Sequence, residues 1–150
     1  MKILAENKKA YFDYEILEKF EAGIALTGRE VKSIKGGHIS LNGSYVVIDS
    51  KGEVFLIGAH VPPYQPKNMP GDYDPERSRK LLLKRKEINY LIGKHDQKGL
   101  TFIPLKVYTN NGNIKLEFSI AKGKKQFDKR ETIKKRDTER EIERAMKTNR

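Results

Sequence analysis

Two runs of alternating residues near the end of the chain constrain its fold most. Apolar and polar side chains alternate over residues 103–108 and again over 114–120. A period of two is typical of a strand with one buried face. Asn111 and Gly112 lie between the runs, and both residue types tolerate the positive φ angles of a type I′ turn. The pattern therefore predicts a β-hairpin.

Two earlier segments are also rich in β-favouring residues. The segment 11–20 predicts a strand that residues 21–23 interrupt and residues 24–26 continue beyond a bulge. The segments 44–49 and 53–58 flank three turn residues that include Gly52. This arrangement predicts a second hairpin.

Two helices are predicted between these strands. Thr27 and Glu30 form a capping-box pattern, and two glycines follow Lys35, which predicts a short helix over 28–35. Five prolines in 61–75 predict an irregular loop. Asp74 and Pro75 then resemble the start of a second helix. Its expected apolar face contains Leu81, Leu82, Ile88, Leu91 and Ile92, and its opposite face Arg77, Arg79, Lys80, Lys84, Arg85 and Lys86.

The order strand, short helix, hairpin, long loop, helix, hairpin predicts a mainly β fold. Few and short strands with a helix before the last hairpin indicate a small Greek-key barrel of the oligonucleotide-binding (OB) type with flanking helices, over residues 1–120. Residues 121–150 form a basic tail with 12 Lys plus Arg against 6 Asp plus Glu. Its apolar residues are too sparse to pack on a core. We expect it to be disordered alone and helical on a surface that orders it.

The net charge of the chain indicates what class of molecule it binds. The chain has 31 Lys plus Arg against 20 Asp plus Glu, a net charge of +11. This imbalance favours nucleic acid as partner, and an anionic membrane surface second. The absence of cysteine excludes disulfides, thiolate zinc sites and cysteine nucleophiles. There is no apolar run long enough to span a membrane and no secretion signal, so a cytoplasmic protein without membrane contact is predicted.

Catalysis has little support in the sequence. His38, His60 and His95 are far apart and lack metal-ligand spacing, so we expect them to be structural or surface residues. Asp72 and Asp74 fit a turn and an N-cap better than a metal site. No catalytic residue, metal or cofactor is predicted.

The junction between the two regions reads A-K-G-K-K-Q-F-D-K-R over 121–130. It places five cations beside one aromatic ring, and such a combination suits phosphate contacts and base stacking. A solvated hinge at the edge of a domain is the alternative.

Four segments carry a resemblance to a known family. F-E-A-G-I-A-L at 20–26, G-R-E-V-K-S-I at 28–34, D-P-E-R-S-R-K-L-L-L at 74–83 and the 121–130 run follow the order found in the SsrA-binding proteins, the small protein B family of bacteria. The resemblance implies an OB-type barrel that binds the tRNA-like end of transfer-messenger RNA at its elbow. It implies delivery of that RNA to stalled ribosomes by an adaptor that is not an enzyme. The tail would lie as a helix in the message channel of the small subunit, near the decoding region.

The resemblance also implies which residues meet RNA. The barrel group contains Asn7, Lys8, Glu21, Gly23, Leu82 and Lys84, to which we add the nearby cations Lys9, Arg77, Arg79 and Lys80. The tail group contains Lys122, Lys124, Lys125, Phe127, Asp128, Lys129 and Arg130. Family members often have Asn or another small polar residue at the Lys84 position and His at the Phe127 position. At position 84, a phosphate contact from Lys84 can replace a specific hydrogen bond. At position 127, the ring of Phe127 can still stack on a base, but the charge and the hydrogen bond of a histidine are lost.

Several alternatives stay open at this point. Glu21 could bond only to a backbone amide, Leu82 could belong to the core, and the cations of 77–80 could merely solvate a helix face. A generic OB-type ribosomal or translation-factor-like protein is the second functional hypothesis. An RNA hydrolase is the third. A monomer is expected.

Overall fold

A computed structural model of the chain describes residues 1–64, 71 and 73–124. Ten helices and strands follow one another within these ranges. They are β1 (Lys2–Glu6), α1 (Lys8–Asp13), β2 (Tyr14–Ile24), α2 (Gly28–Lys35), β3 (Tyr45–Ile48), β4 (Val54–Ile57), β5 (Arg79–Leu82), α3 (Arg85–His95), β6 (Leu100–Asn110) and β7 (Asn113–Gly123).

The strands form a closed antiparallel barrel. Following the hydrogen bonds, the order β6-β3-β4-β5-β2-β7 returns to β6, and β1 pairs with the second half of β6. Closure of this kind removes exposed sheet edges. The predicted fold class, a mainly β barrel of the OB type with flanking helices, is confirmed.

The core lies inside the barrel. Leu56, Val107 and Phe118 are fully buried there, and Ile34 of α2 and Leu91 of α3 join the same cluster. A smaller cluster lies outside the barrel wall, where Ala10 of α1 packs on β6 and β7. Its other buried members are Ile103, Leu105 and Ala121. The helices therefore cover apolar surface that the strands alone would leave exposed to solvent.

Three predictions based on local patterns, the helix cap at Thr27 and the two hairpins, are confirmed. The Thr27 hydroxyl accepts a hydrogen bond from the Glu30 amide at 3.2 Å, and the Glu30 carboxylate accepts one from the Thr27 amide at 2.9 Å. The β3–β4 hairpin forms in the expected register. Asn111 and Gly112 have φ angles of 52° and 80°, as a type I′ turn between β6 and β7 requires.

Predictions for the N-terminal segments were partly wrong. Residues 11–13 belong to helix α1, and β2 begins only at Tyr14. Residues 21–23 do not interrupt the strand, because β2 pairs with β7 along almost its whole length and the bulge lies near Leu17. The first strand, β1, was not predicted. Within the part of the chain that the structure describes, it pairs with the distant β6.

The predicted helix start at Asp74 was also wrong. The Asp74 carboxylate accepts a hydrogen bond from the Glu76 amide and forms a local turn instead. Residues 79–82 form strand β5, because Leu81 pairs with Val54 on one side and with Ile24 on the other. Helix α3 begins at Arg85. The cations of 77–80 therefore do not share one helix face.

The C-terminal end of the barrel lies beyond the predicted boundary. Strand β7 continues through Gly123, and the Lys124 amide donates to the Asp13 carbonyl at 3.0 Å. Residues 121–124 thus belong to the folded body rather than to the tail. The predictions made for residues 125–150 lie outside the described residues. Within the described ranges, none of the helices is long and apolar enough to cross a membrane.

Candidate nucleic-acid interface

Strand β2 presents two of the predicted RNA-facing residues on the outer surface of the barrel. Alternation along the strand buries Ala22 and turns Glu21 and Gly23 outward. The Glu21 carboxylate accepts a hydrogen bond from the Tyr108 hydroxyl, not from a backbone amide. Burial, and then the bond to Glu21, raise the pKa of Tyr108 above its usual value. The phenol therefore stays protonated and holds the carboxylate in place.

Gly23 and Leu82 form the centre of the surface. They are directly paired across β2 and β5. The Leu82 side chain is 54% exposed, so it belongs to the surface and not to the core. A Cβ atom at position 23 would lie 3.4 Å from the Cβ of Leu82. The missing side chain at Gly23 thus leaves one flank of Leu82 uncovered.

Cations surround this apolar centre. Lys115 lies opposite Gly23 on the other side, in β7. Lys84 is exposed just beyond the end of β5. A shallow cavity of about 330 Å³ adjoins the pair. It is lined by Gly23, Ile24, Leu26, Val31, Lys35, Leu82, Gly112, Asn113, Ile114 and Lys115. Lys35 and Lys115 can therefore reach phosphates of a polymer that contacts Leu82.

A second shallow cavity, of about 360 Å³, lies on the Glu21 side. It is lined by Met1, Lys19, Phe20, Glu21, Lys106, Tyr108, Asn110 and Glu117. Glu117 is 3.1 Å from the Lys106 amine and 3.8 Å from that of Lys19. These pairs offset part of the positive charge. Glu21 is thus a hydrogen-bond acceptor within a mixed-charge surface, which suits a base edge or a 2′-hydroxyl better than a phosphate.

The structure places Asn7 in a different role from the predicted one. Asn7 is buried, and its amide nitrogen donates to the Pro104 carbonyl at 3.0 Å. This hydrogen bond fixes the start of α1 against β6, and the burial of Asn7 does not support its predicted contact with RNA. Lys8 and Lys9 follow in the first turn of that helix, and both are exposed.

Arg79 is likewise not a surface residue, and its burial does not support its predicted contact with RNA. Its side chain is fully buried, and it donates to the Glu30 carboxylate at 2.7 Å. Its other donors reach the carbonyls of Ala59, Pro75 and Arg77, each at 3.0 Å. Four hydrogen bonds thus hold the guanidinium of Arg79 in the interior.

Arg77 and Lys80 differ from Arg79 in exposure. Arg77 is half-exposed and also donates to Glu30. Burial alone would raise the pKa of Glu30, but hydrogen bonds from Arg77 and Thr27 and the charge of Arg79 lower it. Lys80 is exposed on β5, 3.7 Å from Glu53.

Two residues of the tail group are described. Lys122 is an exposed residue of β7, and the Lys124 amine donates to the Tyr11 carbonyl at 3.0 Å. Lys125, Phe127, Asp128, Lys129 and Arg130 lie outside the described residues. Lys106, Tyr108 and Lys115 were not among the predicted site residues. The alternation of 103–108 and 114–120 already placed them on the polar face of a hairpin, which was the available signal.

The histidines and acidic residues show no arrangement typical of catalysis among the described residues. His38, His60 and His95 are exposed and lie in different parts of the fold. No group of three or more potential metal ligands occurs within the described ranges.

Comparisons with known proteins agree on one family. The family model described as SmpB protein matches residues 4–148. A protein of Gloeothece citriformis named SsrA-binding protein is 52% identical over 97% of this chain and 94% of its own length. One of the same name from Acetivibrio thermocellus is 53% identical over 99% and 95%.

A solved structure gives the same result for the fold. It is described as "tmRNA-SmpB: a journey to the center of the bacterial ribosome" and is 46% identical in sequence. It covers 81% of this chain and 85% of the matched chain, with a TM-score of 0.66. Sequence and fold together show that this chain belongs to the SmpB family of SsrA-binding proteins.

Proposed function

We propose that this protein is an RNA-binding adaptor of trans-translation. It binds the tRNA-like domain of transfer-messenger RNA and delivers that RNA to stalled ribosomes. One observation carries the proposal: in a chain that matches the SmpB family model over residues 4–148, Leu82 is exposed beside Gly23 and Glu21. These are outward positions in two of the four segments that carry the family resemblance.

Each part of the surface around Leu82, Gly23 and Glu21 has a separate role in binding RNA. Leu82 offers an apolar contact for a sugar or a base face. Glu21, oriented by Tyr108, accepts from a base edge or a 2′-hydroxyl. Lys35, Lys84 and Lys115 supply the charge that draws phosphates to the surface. Affinity thus comes mainly from the cations, and orientation comes from the centre.

The tail has the second task in this proposal. Lys122, Lys124, Lys125, Phe127, Asp128, Lys129 and Arg130 contact the ribosome near the decoding region and the message channel. The barrel then holds the RNA while the tail engages the small subunit. We expect the protein to act as a monomer in the cytoplasm, and we assign it no catalytic residue and no cofactor.

The exposed leucine allows a direct test of the RNA interface. Leu82→Ala should weaken binding of full-length transfer-messenger RNA by about 10-fold, because roughly 1.4 kcal/mol of apolar contact is lost. Leu17→Ala is the matched control, since Leu17 is 47% exposed elsewhere on β2. Filter binding at fixed salt measures both. Equal affinities for the two variants would contradict the proposed interface.

A chemical test addresses the adaptor assignment. Purified protein incubated with transfer-messenger RNA should leave the RNA at full length on a denaturing gel. Shortening that resists chelators and survives replacement of all three histidines would indicate a hydrolase instead. Sequencing the RNA recovered with the protein from stalled ribosomes should identify transfer-messenger RNA.

A further inference from the structure

The outer face of β3 and β4 is apolar although it faces solvent. In β3, Val46 points into the core and Tyr45 points outward, and Tyr45 is 44% exposed. In β4, Val54 and Leu56 are buried, so Phe55 and Ile57 lie on the outer side and are half-buried. The alternation that builds the core on one side thus leaves two aromatic rings on the other.

The register brings these outer residues together around Phe55. Phe55 lies directly opposite Val47 in β3 and opposite Lys80 in β5. Tyr45 lies opposite Ile57, so the two rings occupy diagonal positions. Diagonal neighbours on a sheet are roughly 7–8 Å apart, within reach of aromatic side chains. We call this surface, formed by Tyr45, Val47, Phe55, Ile57 and Lys80, the ring face.

The chemistry of the ring face fits nucleic acid. Aromatic side chains presented by a rigid sheet are the platforms on which proteins stack unpaired bases. A cation at the edge of the platform can contact the phosphate that follows a stacked base. Lys80 is 47% exposed, and among the described residues it forms an ion pair with Glu53 at 3.7 Å. This weak surface pair leaves the amine available to a phosphate.

The ring face is continuous with the interface already described. Lys80 and Leu82 are successive outward residues of β5, so they lie only about 7 Å apart along the strand. Leu82 in turn neighbours Gly23. An RNA held at Leu82 therefore has its next nucleotides within reach of Phe55. This continuity, with the cation between the two surfaces, favours RNA over a protein as the occupant.

We propose that the ring face binds unpaired nucleotides of the RNA partner, with bases stacked on Phe55 and Tyr45 and a phosphate paired to Lys80. The inference rests on the proposed function. It assigns a second, stacking subsite beside the surface of Leu82 and Gly23. The ligand class is single-stranded nucleotides next to the structured part of the RNA.

Replacing the two rings with aliphatic side chains tests the stacking subsite. The double variant Tyr45→Leu and Phe55→Leu should bind full-length transfer-messenger RNA about 10-fold or more weakly. Its salt dependence should be unchanged, because no cation is lost. Lys80→Ala should instead reduce the slope of log affinity against log salt by about 0.7–0.9. Tyr11→Leu is the matched control, since Tyr11 is 42% exposed on α1.

Cross-linking gives an independent readout that does not depend on the fold of a variant. Ultraviolet irradiation of the wild-type complex should link RNA to the tryptic peptides 36–51 and 52–67, which contain the two rings. Circular dichroism should show that the double variant is folded. Absence of cross-links in both peptides would overturn the inference.

The remaining outcomes separate this inference from the proposed function. If the ring variant binds RNA like the wild type while Leu82→Ala is weakened, the stacking subsite is wrong and the RNA interface stands. If the ring variant keeps its RNA affinity but loses binding to ribosomes, the face contacts a ribosomal component and the inference is overturned. If neither variant affects RNA binding, the proposed interface fails as well.

Discussion

Arg79 and Glu30 form an ion pair that is almost completely removed from solvent. The Nε atom of Arg79 lies 2.7 Å from Oε2 of Glu30, and the two side chains are 0% and 1% exposed. Glu30 also caps α2 through the Thr27 amide. The pair therefore joins α2 to β5, two elements that are 49 residues apart at this contact.

Breaking this pair should destabilise the protein strongly. Glu30→Gln leaves the Arg79 charge buried without its counter-ion, so we expect a loss of about 3 kcal/mol or more in the free energy of unfolding. Glu53→Gln is the control, because its pair with Lys80 is exposed and should contribute less than about 1 kcal/mol. Urea unfolding at pH 7 measures both. Equal losses would contradict the structural role of Arg79.

The same carboxylate makes stability depend on pH. The pKa of Glu30 is lowered from 4.5 in the folded state, so the unfolded state binds the proton more readily. Its contribution is present above about pH 4.5 and is lost as the pH falls through the folded pKa. Stability measured across that range should decline more steeply in the wild type than in Glu30→Gln. Parallel curves would show that another group is responsible.

Adding a methyl group at position 23 should affect RNA binding more than stability. Gly23→Ala places a Cβ at 3.4 Å from Leu82, an ordinary contact that covers part of the leucine. We expect RNA affinity to fall about 3-fold or more while the midpoint of unfolding changes little. Gly93→Ala is the control. It lies in α3 with no atom within 4 Å, so it should raise stability by about 0.5–1 kcal/mol and leave affinity unchanged.

Removing the Tyr108 hydroxyl tests the orientation of Glu21. Tyr108→Phe leaves the carboxylate without its donor, and we expect RNA affinity to fall several-fold. If the two residues act together, adding Glu21→Gln should cause little further loss, so the double-mutant cycle is non-additive. Tyr11→Phe serves as the control. Additive losses would indicate that Tyr108 contacts RNA independently of Glu21.

Truncation tests the division between barrel and tail. Deleting the residues after Lys125 leaves all of β7 in place, because that strand ends at Gly123. Affinity for transfer-messenger RNA should stay nearly intact, while tagging of stalled products should be abolished. Equal loss of both activities would contradict the division. A translation assay on a message without a stop codon measures the tagging.

Sequence predicted the elements whose causes are local. The capping box at Thr27 and the Asn111–Gly112 turn each depend on residues within four positions, and both form as predicted. The segment 79–82 failed for the opposite reason. The Asp74 signal is real but caps only a turn, and the strand exists because Leu81 pairs with Val54 and Ile24.

The placement of some predicted site residues likewise depends on partners that are distant in the sequence. Glu21 was assigned to the RNA-facing group from the family resemblance, and the structure shows it exposed on β2. The burial of Asn7 and Arg79 depends on Pro104 and Glu30, which are 97 and 49 residues away. A charged or amide side chain in a basic sequence resembles an RNA contact until its distant partner is known.

Strand β7 has a mechanical consequence for the whole molecule. Lys115, near its start, belongs to the proposed RNA interface, and Gly123, at its end, is the last residue of the strand. The eight-residue interval sets these points about 26 Å apart along the strand. β7 thus acts as a rigid spacer. Its length sets the distance between the proposed RNA contact at Lys115 and the point at Gly123 where the strand ends.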